Sequence, residues 1–333
     1  RSKSRQDPQP LSRELRGSAK PRRDDMAATT VIIASYSGFL KEEATSVCAA
    51  AIKALTEGIR RSTATTLMGL RNDLMQAGEA LKQCDDAPIS IESLCELFVR
   101  FVTRTALDVP DFGSCKALLI ERGEMFAQKA QAARDRIAQL GAPFVTDGAM
   151  VLTHGYSRMV LGVLLAAAAR GCHFSVLVAE SHSGGGGHAT AHELARAGVP
   201  VTMIEDAAVA HAMARTSLCL SGAEAVVESG GVLSKTGTFQ IAIVAAACKK
   251  PFYIAAESTK FARKFPLSQL DLPAAEARRE HAAFAGRGPP PPTLRAETPS
   301  RDYTPPSYIT MLFTDLGVLT PSAVSDELIK LFT

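Results

Sequence analysis

The second half of the chain alternates short apolar segments with helical ones, and this alternation limits the fold more than any other feature. The strand candidates are 149–153, 174–179, 201–204, 218–221 and 252–256, and helical stretches lie between them at 157–170, 190–197, 207–214 and 239–249. Apolar strands joined by helices form a parallel sheet that is covered on both faces. The sequence therefore predicts an α/β fold with a Rossmann-like, doubly wound domain over 146–333, whose ligands lie at the carboxyl ends of the strands.

Residues 26–145 show helical periodicity instead. Apolar side chains recur at steps of three and four residues, as one face of a helix requires. Three such faces are formed by Leu67, Leu70, Leu74, Ala77 and Leu81, by Ile91, Leu94, Phe98 and Phe101, and by Phe126, Ala130, Ala133, Ile137 and Leu140. Breaks that contain proline fall at 85–88 and 108–111. The sequence predicts a helical N-terminal domain.

Two segments fit neither domain. Residues 1–25 carry eight Lys or Arg and four Asp or Glu, so the net charge of +3 for the whole chain becomes −1 without them. This polar leader is predicted to be disordered, and since no aromatic residue is interleaved with its charges, we do not expect it to bind nucleic acid. The segment from Pro273 to Pro305 contains four consecutive prolines at 289–292 and is predicted to be an exposed insert.

Composition and motif searches narrow the classes of function. Seven single cysteines without a CxxC pair are typical of reduced thiols in a cytosolic protein, and no apolar run reaches the ~18 residues that a membrane helix needs. His188 and His192 lack a third metal ligand nearby, and Gly184–Gly187 matches neither a Walker loop nor GxGxxG. We therefore expect no metal, no cofactor, no membrane and no nicotinamide-type dehydrogenase.

Polar residues follow several of the predicted strands. His154 and Arg158 follow the first strand, where the arginine could hold a phosphate beside a helix N-terminus or could simply be solvated. Glu224, Lys235 and Thr238 follow the fourth strand. A lysine, small hydroxyls and helix-terminal amides favour an anion site, whereas the alternative is a hairpin before a helix that Thr238 caps. We favour the anion site because these side chains would converge at one edge of the sheet.

Several stretches together resemble one protein family. They are TTLMGLRNDL at 65–74, THGYSR at 153–158, GAEAVVESGGVLSKTGT at 222–238, KPFYIAAES at 250–258 and LFTDLGVLTPSAVSDEL at 312–328. The chain is similar to the family of alpha, beta and delta subunits of eukaryotic translation initiation factor 2B, which also includes isomerases acting on methylthioribose 1-phosphate or ribose 1,5-bisphosphate. The short N-terminal region and the terminal LTPSAVSDEL favour the alpha type.

The resemblance implies a regulatory subunit without catalysis of its own. The related isomerases carry a catalytic cysteine where this chain has Gly155 and a catalytic aspartate where it has Glu224. An aldose–ketose isomerisation needs a group that moves a proton between adjacent carbons, which a glycine cannot supply. The alternative function is an active sugar-phosphate isomerase.

The resemblance also implies partners and a ligand. Alpha subunits form a homodimer that joins two tetramers of beta, gamma, delta and epsilon subunits, which exchange guanine nucleotide on initiation factor 2. They help to sense the phosphorylated alpha subunit of that factor, partly through the helical half. The former isomerase pocket can hold a sugar phosphate, and motif by motif its ligand candidates here are Arg71, His154, Arg158, Glu224, Ser234, Lys235 and Thr238.

Overall fold

A computed structural model describes residues 23–41, 45–82, 84, 89–109, 111–181, 186–272 and 299–332 of the 333-residue chain. The fold class is as the sequence predicts, a helical N-terminal domain followed by a domain built on a mainly parallel sheet. The predicted leader lies outside the described residues up to residue 22, and the insert lies outside them from 273 to 298.

The N-terminal domain has five helices within the described ranges. They are α1 (Arg23–Leu40), α2 (Val47–Arg61), α3 (Leu67–Lys82), α4 (Ile89–Asp108) and α5 (Phe112–Gly141). Leu70, Leu74 and Leu81 on α3 are buried, and so are Ile91 and Leu94 on α4, as the spacing of the apolar residues predicts. Helix α5 is 30 residues long and reaches from this bundle to the second domain, so the two cores share one helix.

The second domain is organised around a seven-stranded sheet. Its strands are β1 (Met150–His154), β2 (Ser175–Ala179), β3 (Val201–Ile204), β4 (Leu218–Gly222), β7 (Phe252–Ala255), β10 (Met311–Thr314) and β11 (Gly317–Leu319). The order across the sheet is β11-β10-β7-β4-β1-β2-β3, and every pair is parallel except β10–β11. All five predicted strands are present, which confirms the doubly wound prediction. The order reverses between β1 and β4, where a ligand crevice is expected.

Helices cover this sheet, and the first four lie at the predicted places. They are α6 (Arg158–Ala169), α7 (Gly186–Arg196), α8 (Val209–Met213), α9 (Thr238–Ala247) and, at the C-terminal end, α10 (Ala323–Phe332). The last helix, α10, follows a turn formed by Thr320–Ser322 and begins two residues after Pro321. Such a short turn at a helix end is common, because the first amides of a helix have no partner within it.

A second, four-stranded sheet was not predicted. It consists of β5 (Ala225–Val227), β6 (Val232–Lys235), β8 (Phe261–Ala262) and β9 (Arg301–Thr304), in the order β8-β5-β6-β9. Strand β9 lies within the segment predicted to be an exposed insert, and that prediction is wrong for residues 301–304. Asp302, Tyr303 and Thr304 are buried, and Tyr303 pairs with Leu233 of β6. Similarly, α1 begins at Arg23, three residues inside the predicted leader.

The seven cysteines are all in the described ranges, and none forms a disulfide. Cys48, Cys95 and Cys219 are buried, and burial raises their thiol pKa to about 11, 12 and 12 respectively. These thiols therefore stay protonated and act as small apolar side chains at neutral pH. Within the described ranges no helix is long and apolar enough to cross a bilayer.

Candidate functional site

A cavity of about 480 Å³ lies at the carboxyl ends of β1 and β4, at the reversal point of the sheet. Six of the seven candidate ligand residues line it, namely His154, Arg158, Glu224, Ser234, Lys235 and Thr238. The helical domain closes one side of the cavity with Ser46, Val47 and Ser90. A ligand here would therefore contact both domains, which the sequence pattern alone did not indicate.

His154 is the last residue of β1 and is buried. Its Nε2 atom has no hydrogen-bond partner among the described residues. Burial lowers the pKa of the imidazole, against a smaller opposing effect of the Asp206 carboxylate. A neutral imidazole with an unpaired nitrogen is suited to hydrogen bonding with a hydroxyl group of a bound ligand.

Gly155 follows in the left-handed region of backbone space, with φ +65°. Its carbonyl accepts a hydrogen bond of 2.6 Å from Thr190 Oγ1, which holds the turn in place. A side chain at this position would begin 3.6 Å from Ser181 Oγ, so the position has space but a strained backbone for an L-residue. Residue 155 itself thus offers no side chain that could react.

Arg158 opens α6 and connects the two domains. Its Nη1 donates a hydrogen bond of 2.6 Å to the carbonyl oxygen of Thr45, just before α2. Ser157 caps the same helix by accepting from the Val160 amide. The sequence left open whether Arg158 binds a ligand or is solvated. In the structure one end of its guanidinium is hydrogen-bonded to backbone, and the side chain also lines the cavity.

Glu224 stands between two cations. Lys235 Nζ lies 3.0 Å from Glu224 Oε1, and Arg301 Nε donates to Glu224 Oε2 in a very short contact. Burial by itself would raise the pKa of this carboxyl, but the positive charges of Lys235 and Arg301 outweigh burial and hold the pKa below its usual range. The side chain is therefore an anion in a saturated ion-pair cluster. It is not poised to exchange a proton near neutral pH.

The start of α9 differs from the prediction. Gly237, at φ +108°, precedes the helix, and the amides of Gly237 and Phe239 donate to Asp302 Oδ2 at 2.8 and 3.0 Å. Thr238 is the first helical residue and donates its hydroxyl to the Lys235 carbonyl, so it is not the cap. The amides expected to bind a phosphate are thus occupied by a carboxylate of the chain itself, because β9 places Asp302 at the helix N-terminus.

The glycine run after β2 has a packing role where the structure describes it. Gly186 and Gly187 belong to the first turn of α7, and residues 182–185 lie outside the described ranges. A Cβ atom on Gly187 would lie 2.4 Å from the Ala179 carbonyl oxygen, and one on Gly186 would lie 2.7 Å from the Tyr156 amide nitrogen. Only glycine allows this close approach of helix to backbone.

Arg71 does not reach the cavity. It is an exposed residue of α3 and lines a separate groove of about 380 Å³ between α3 and α4. The packing of α3 against α4 thus directs this side chain to a groove within the helical domain and not to the cavity beside the sheet. Over the described part of the chain, no cluster of His, Cys, Asp or Glu is arranged to hold a metal ion.

Further residues of the cavity were missed by the sequence analysis. Glu257 and Lys260 follow β7, so the same strand-end argument could have found them. Lys260 Nζ donates to the Ala223 carbonyl at 2.9 Å, and Glu257 accepts from Thr259. Arg301 was missed because it lies in the proline-rich segment, which was predicted to be an exposed insert. Four cations and two carboxylates therefore line the cavity, which gives it a formal charge of +2 with His154 neutral.

The fold and the site define a class of protein in which a helical domain is joined to a doubly wound domain. A cationic cavity lies at the switch point of the sheet, between β1 and β4, and the helical domain closes one side of it. The Initiation factor 2 subunit family model matches residues 41–321, and the chain belongs to that family. It is 46% identical over 311 residues to the translation initiation factor eIF2B subunit alpha of Dictyostelium discoideum, covering 90% of this chain and 96% of that protein.

Two further comparisons describe the breadth of the family. A ribose 1,5-bisphosphate isomerase of Pyrococcus furiosus is 29% identical over 289 residues, covering 85% of this chain and 87% of the isomerase. The crystal structure of the tetrameric eIF2B-beta2-delta2 complex from C. thermophilum contains a chain that matches with a TM-score of 0.71 at 18% identity, covering 93% of this chain and 96% of that one. The structural match concerns the fold.

Proposed function

We propose that this protein is a regulatory, non-catalytic subunit of the guanine-nucleotide exchange factor for translation initiation factor 2, and that its cavity binds a sugar phosphate. The similarity to an eIF2B alpha subunit over nearly the full length of both chains supports the regulatory assignment. The observation that carries the non-catalytic part is Gly155, which lies at the cavity where the resemblance places the catalytic cysteine of the isomerases.

The ion pairs of Glu224 also argue against catalysis. A general acid or base works best when its pKa is near the operating pH. Lys235 and Arg301 hold the pKa of Glu224 below the usual range, so the carboxylate is a poor acid and a weak base. Without a thiol at residue 155, the described cavity holds no matched pair of groups for moving a proton between two carbons.

The same cavity remains suited to an anionic ligand that carries hydroxyl groups. Its formal charge of +2 attracts a phosphate, and the Lys235 side chain is half-exposed and so can turn to a ligand. His154 Nε2 is buried without a hydrogen-bond partner among the described residues, which makes it a candidate for bonding a hydroxyl of a sugar. These features support a sugar phosphate over a nucleotide base, because Tyr156 is the one Phe, Tyr or Trp among the described residues that line the cavity.

By the resemblance, we further propose a cytosolic homodimer that joins two tetramers of the beta, gamma, delta and epsilon subunits. The helical half would help to sense the phosphorylated alpha subunit of factor 2. The test is nucleotide release from factor 2 by the tetramer, with and without the purified chain. We expect the chain to increase the inhibition caused by phosphorylated factor 2, and equal inhibition in both reactions would contradict the proposal.

The ligand is tested by a thermal melt of the purified chain against sugar phosphates, with an isomerase assay on the same samples. A ligand at a hundredfold excess over its dissociation constant adds about 2.7 kcal/mol to the free energy of unfolding. Lys235→Ala should remove this stabilisation, whereas Lys129→Ala, at an exposed lysine on α5, should not. Equal stabilisation of wild type and Lys235→Ala would mean that the ligand binds elsewhere.

An active isomerase is the second candidate, because the similarity to a ribose 1,5-bisphosphate isomerase covers 85% of this chain. His154, Arg158 and Lys235 lie together in the cavity, as substrate binding would need. Turnover of ribose 1,5-bisphosphate or methylthioribose 1-phosphate by the purified chain would favour this candidate, and stabilisation without turnover would favour the regulatory one.

A further inference from the structure

Arg301 occupies an unusual position beside the proposed anion site. It is the first residue of β9, and its register partner on β6 is Lys235. Two like charges that face each other across an antiparallel pair repel one another and weaken the pair. Here Glu224 lies between them and takes one cation on each carboxylate oxygen. The three side chains therefore form a cluster with a net charge of +1.

The two cations of this cluster are not equivalent. The Lys235 side chain is 51% exposed, the Arg301 side chain is 25% exposed and the Glu224 side chain is 17% exposed. Lys235 is thus the partner that solvent and a ligand can reach, and its flexible stem lets the ammonium move. Arg301 is the more enclosed partner, and its planar guanidinium is fixed on the carboxylate.

This asymmetry matters when an anion enters the cavity. If Lys235 turned to a phosphate and Glu224 had no other partner, a largely buried carboxylate would be left uncompensated, which is unfavourable. Arg301 removes that obstacle, because Glu224 keeps one charge-assisted bond while Lys235 leaves. The anion then replaces the second oxygen of Glu224 as the partner of Lys235.

We propose that Arg301 is a positioning residue for the anion site: it holds Glu224 so that Lys235 can exchange its carboxylate partner for the phosphate of a ligand. This inference rests on the proposed function of the cavity. It assigns a role to a residue of β9 that neither the strand-end pattern nor the family motifs indicated, and it makes anion binding depend on a residue that touches the anion only through another side chain.

The test measures the binding of sulfate and inorganic phosphate to the full chain by calorimetry or by the shift in melting temperature. Arg301→Leu should weaken binding by about tenfold, the effect of losing one charge-assisted hydrogen bond, because Lys235 then stays on Glu224. Arg301→Lys should retain most of the affinity. Arg170→Leu removes an exposed arginine at the far end of α6 and is the matched control, with no expected effect.

The double variant Glu224→Gln, Arg301→Leu separates positioning from direct contact. Without the carboxylate charge, Lys235 is free in either background, so the double variant should bind sulfate about as well as Glu224→Gln alone. If the loss persists in the double variant, Arg301 contacts the anion directly and the inference is wrong. If Arg301→Leu binds like wild type while Lys235→Ala does not, the inference fails and the anion site stands. Absence of binding by the wild-type chain would refute both.

Discussion

The titration of Asp302 offers a quantitative check on the way β9 meets the start of α9. Asp302 Oδ2 accepts hydrogen bonds from the amides of Gly237 and Phe239, and Oδ1 is buried without a hydrogen-bond partner among the described residues. Burial raises the pKa of this carboxyl from 3.8 to about 6, although the backbone amides oppose the change. The structure therefore predicts a buried carboxyl that binds its proton more tightly in the folded chain than in the unfolded one.

The sign of the effect follows from linkage. Between pH 3.8 and about 6 the folded chain keeps a proton that the unfolded chain has released, so the stability falls as the pH rises through this window. Above pH 6 both states are ionised and the contribution is constant. The full difference in pKa is worth on the order of 3 kcal/mol, and the part between pH 5 and 7.5 is worth about 1 to 1.5 kcal/mol.

The measurement compares wild type with Asp302→Asn, which keeps an acceptor for the α9 amides but does not titrate. Urea unfolding at several values between pH 5 and 7.5 gives the free energy of unfolding of each protein. We expect wild type to lose about 1 kcal/mol relative to the variant over this range. A difference that stays constant with pH would refute the reasoning, because it would mean that Asp302 ionises like a solvated carboxyl.

Asp271→Asn is the matched control with the opposite sign. Asp271 accepts the amides of Leu267 and Ser268 on an exposed turn, and these hydrogen bonds hold its pKa below the usual value. Its contribution is present above the unfolded pKa and is lost as the pH falls through the lower, folded value. The difference in the free energy of unfolding between wild type and Asp271→Asn should therefore stay constant between pH 5 and 7.5.

Two further variants test the backbone and the core. Gly237→Ala places a side chain at φ +108° with its Cβ 2.8 Å from His154 Nε2, so it should lower the free energy of unfolding by about 1 to 3 kcal/mol and weaken phosphate binding in a melt. Gly148→Ala, at φ +75° but with open space, should affect stability alone, and equal phosphate affinity in both variants would contradict the clash with His154. Phe313→Ala removes a ring that is 1% exposed and should cost about 3 to 5 kcal/mol by urea unfolding, whereas Phe265→Ala, at a ring that is 64% exposed, should cost little. Similar losses for the two phenylalanines would show that the core around Phe313 is not packed as described.

Local patterns in the sequence predicted the architecture well. The predicted strands are short, mainly apolar segments, and β1, β2 and β4 are buried over most of their length, as a sheet covered on both faces requires. The helix faces of α3 and α4 followed from residues three and four positions apart, since that spacing reflects the turn of the helix itself. These helices and strands depend on residues that are close together in the sequence, so local sequence patterns are enough to predict them.

The residues that line the cavity were predicted only in part, because some of their positions depend on packing between elements that are distant in the sequence. The strand-end rule located His154, Arg158 and Lys235 because parallel strands must end at the same edge. The same rule does not extend to Arg71, whose position depends on how the helical bundle packs. The helix period shows that Leu70 and Leu74 are buried, but it does not show which groove lies beside them.

The second sheet was decided by tertiary structure. Strands β5 and β8 have three and two residues, too few for a periodic pattern, and β9 follows a proline-rich segment. Register places Arg301 opposite Lys235 and Asp302 at the start of α9, across more than sixty residues of chain. The sequence by itself determined a helical domain, a doubly wound sheet and a crevice at the carboxyl ends of its strands. Only long-range strand pairing decided that the crevice contains the Arg301–Glu224–Lys235 cluster, because pairing between distant strands depends on the packing of the whole domain and leaves no local periodicity.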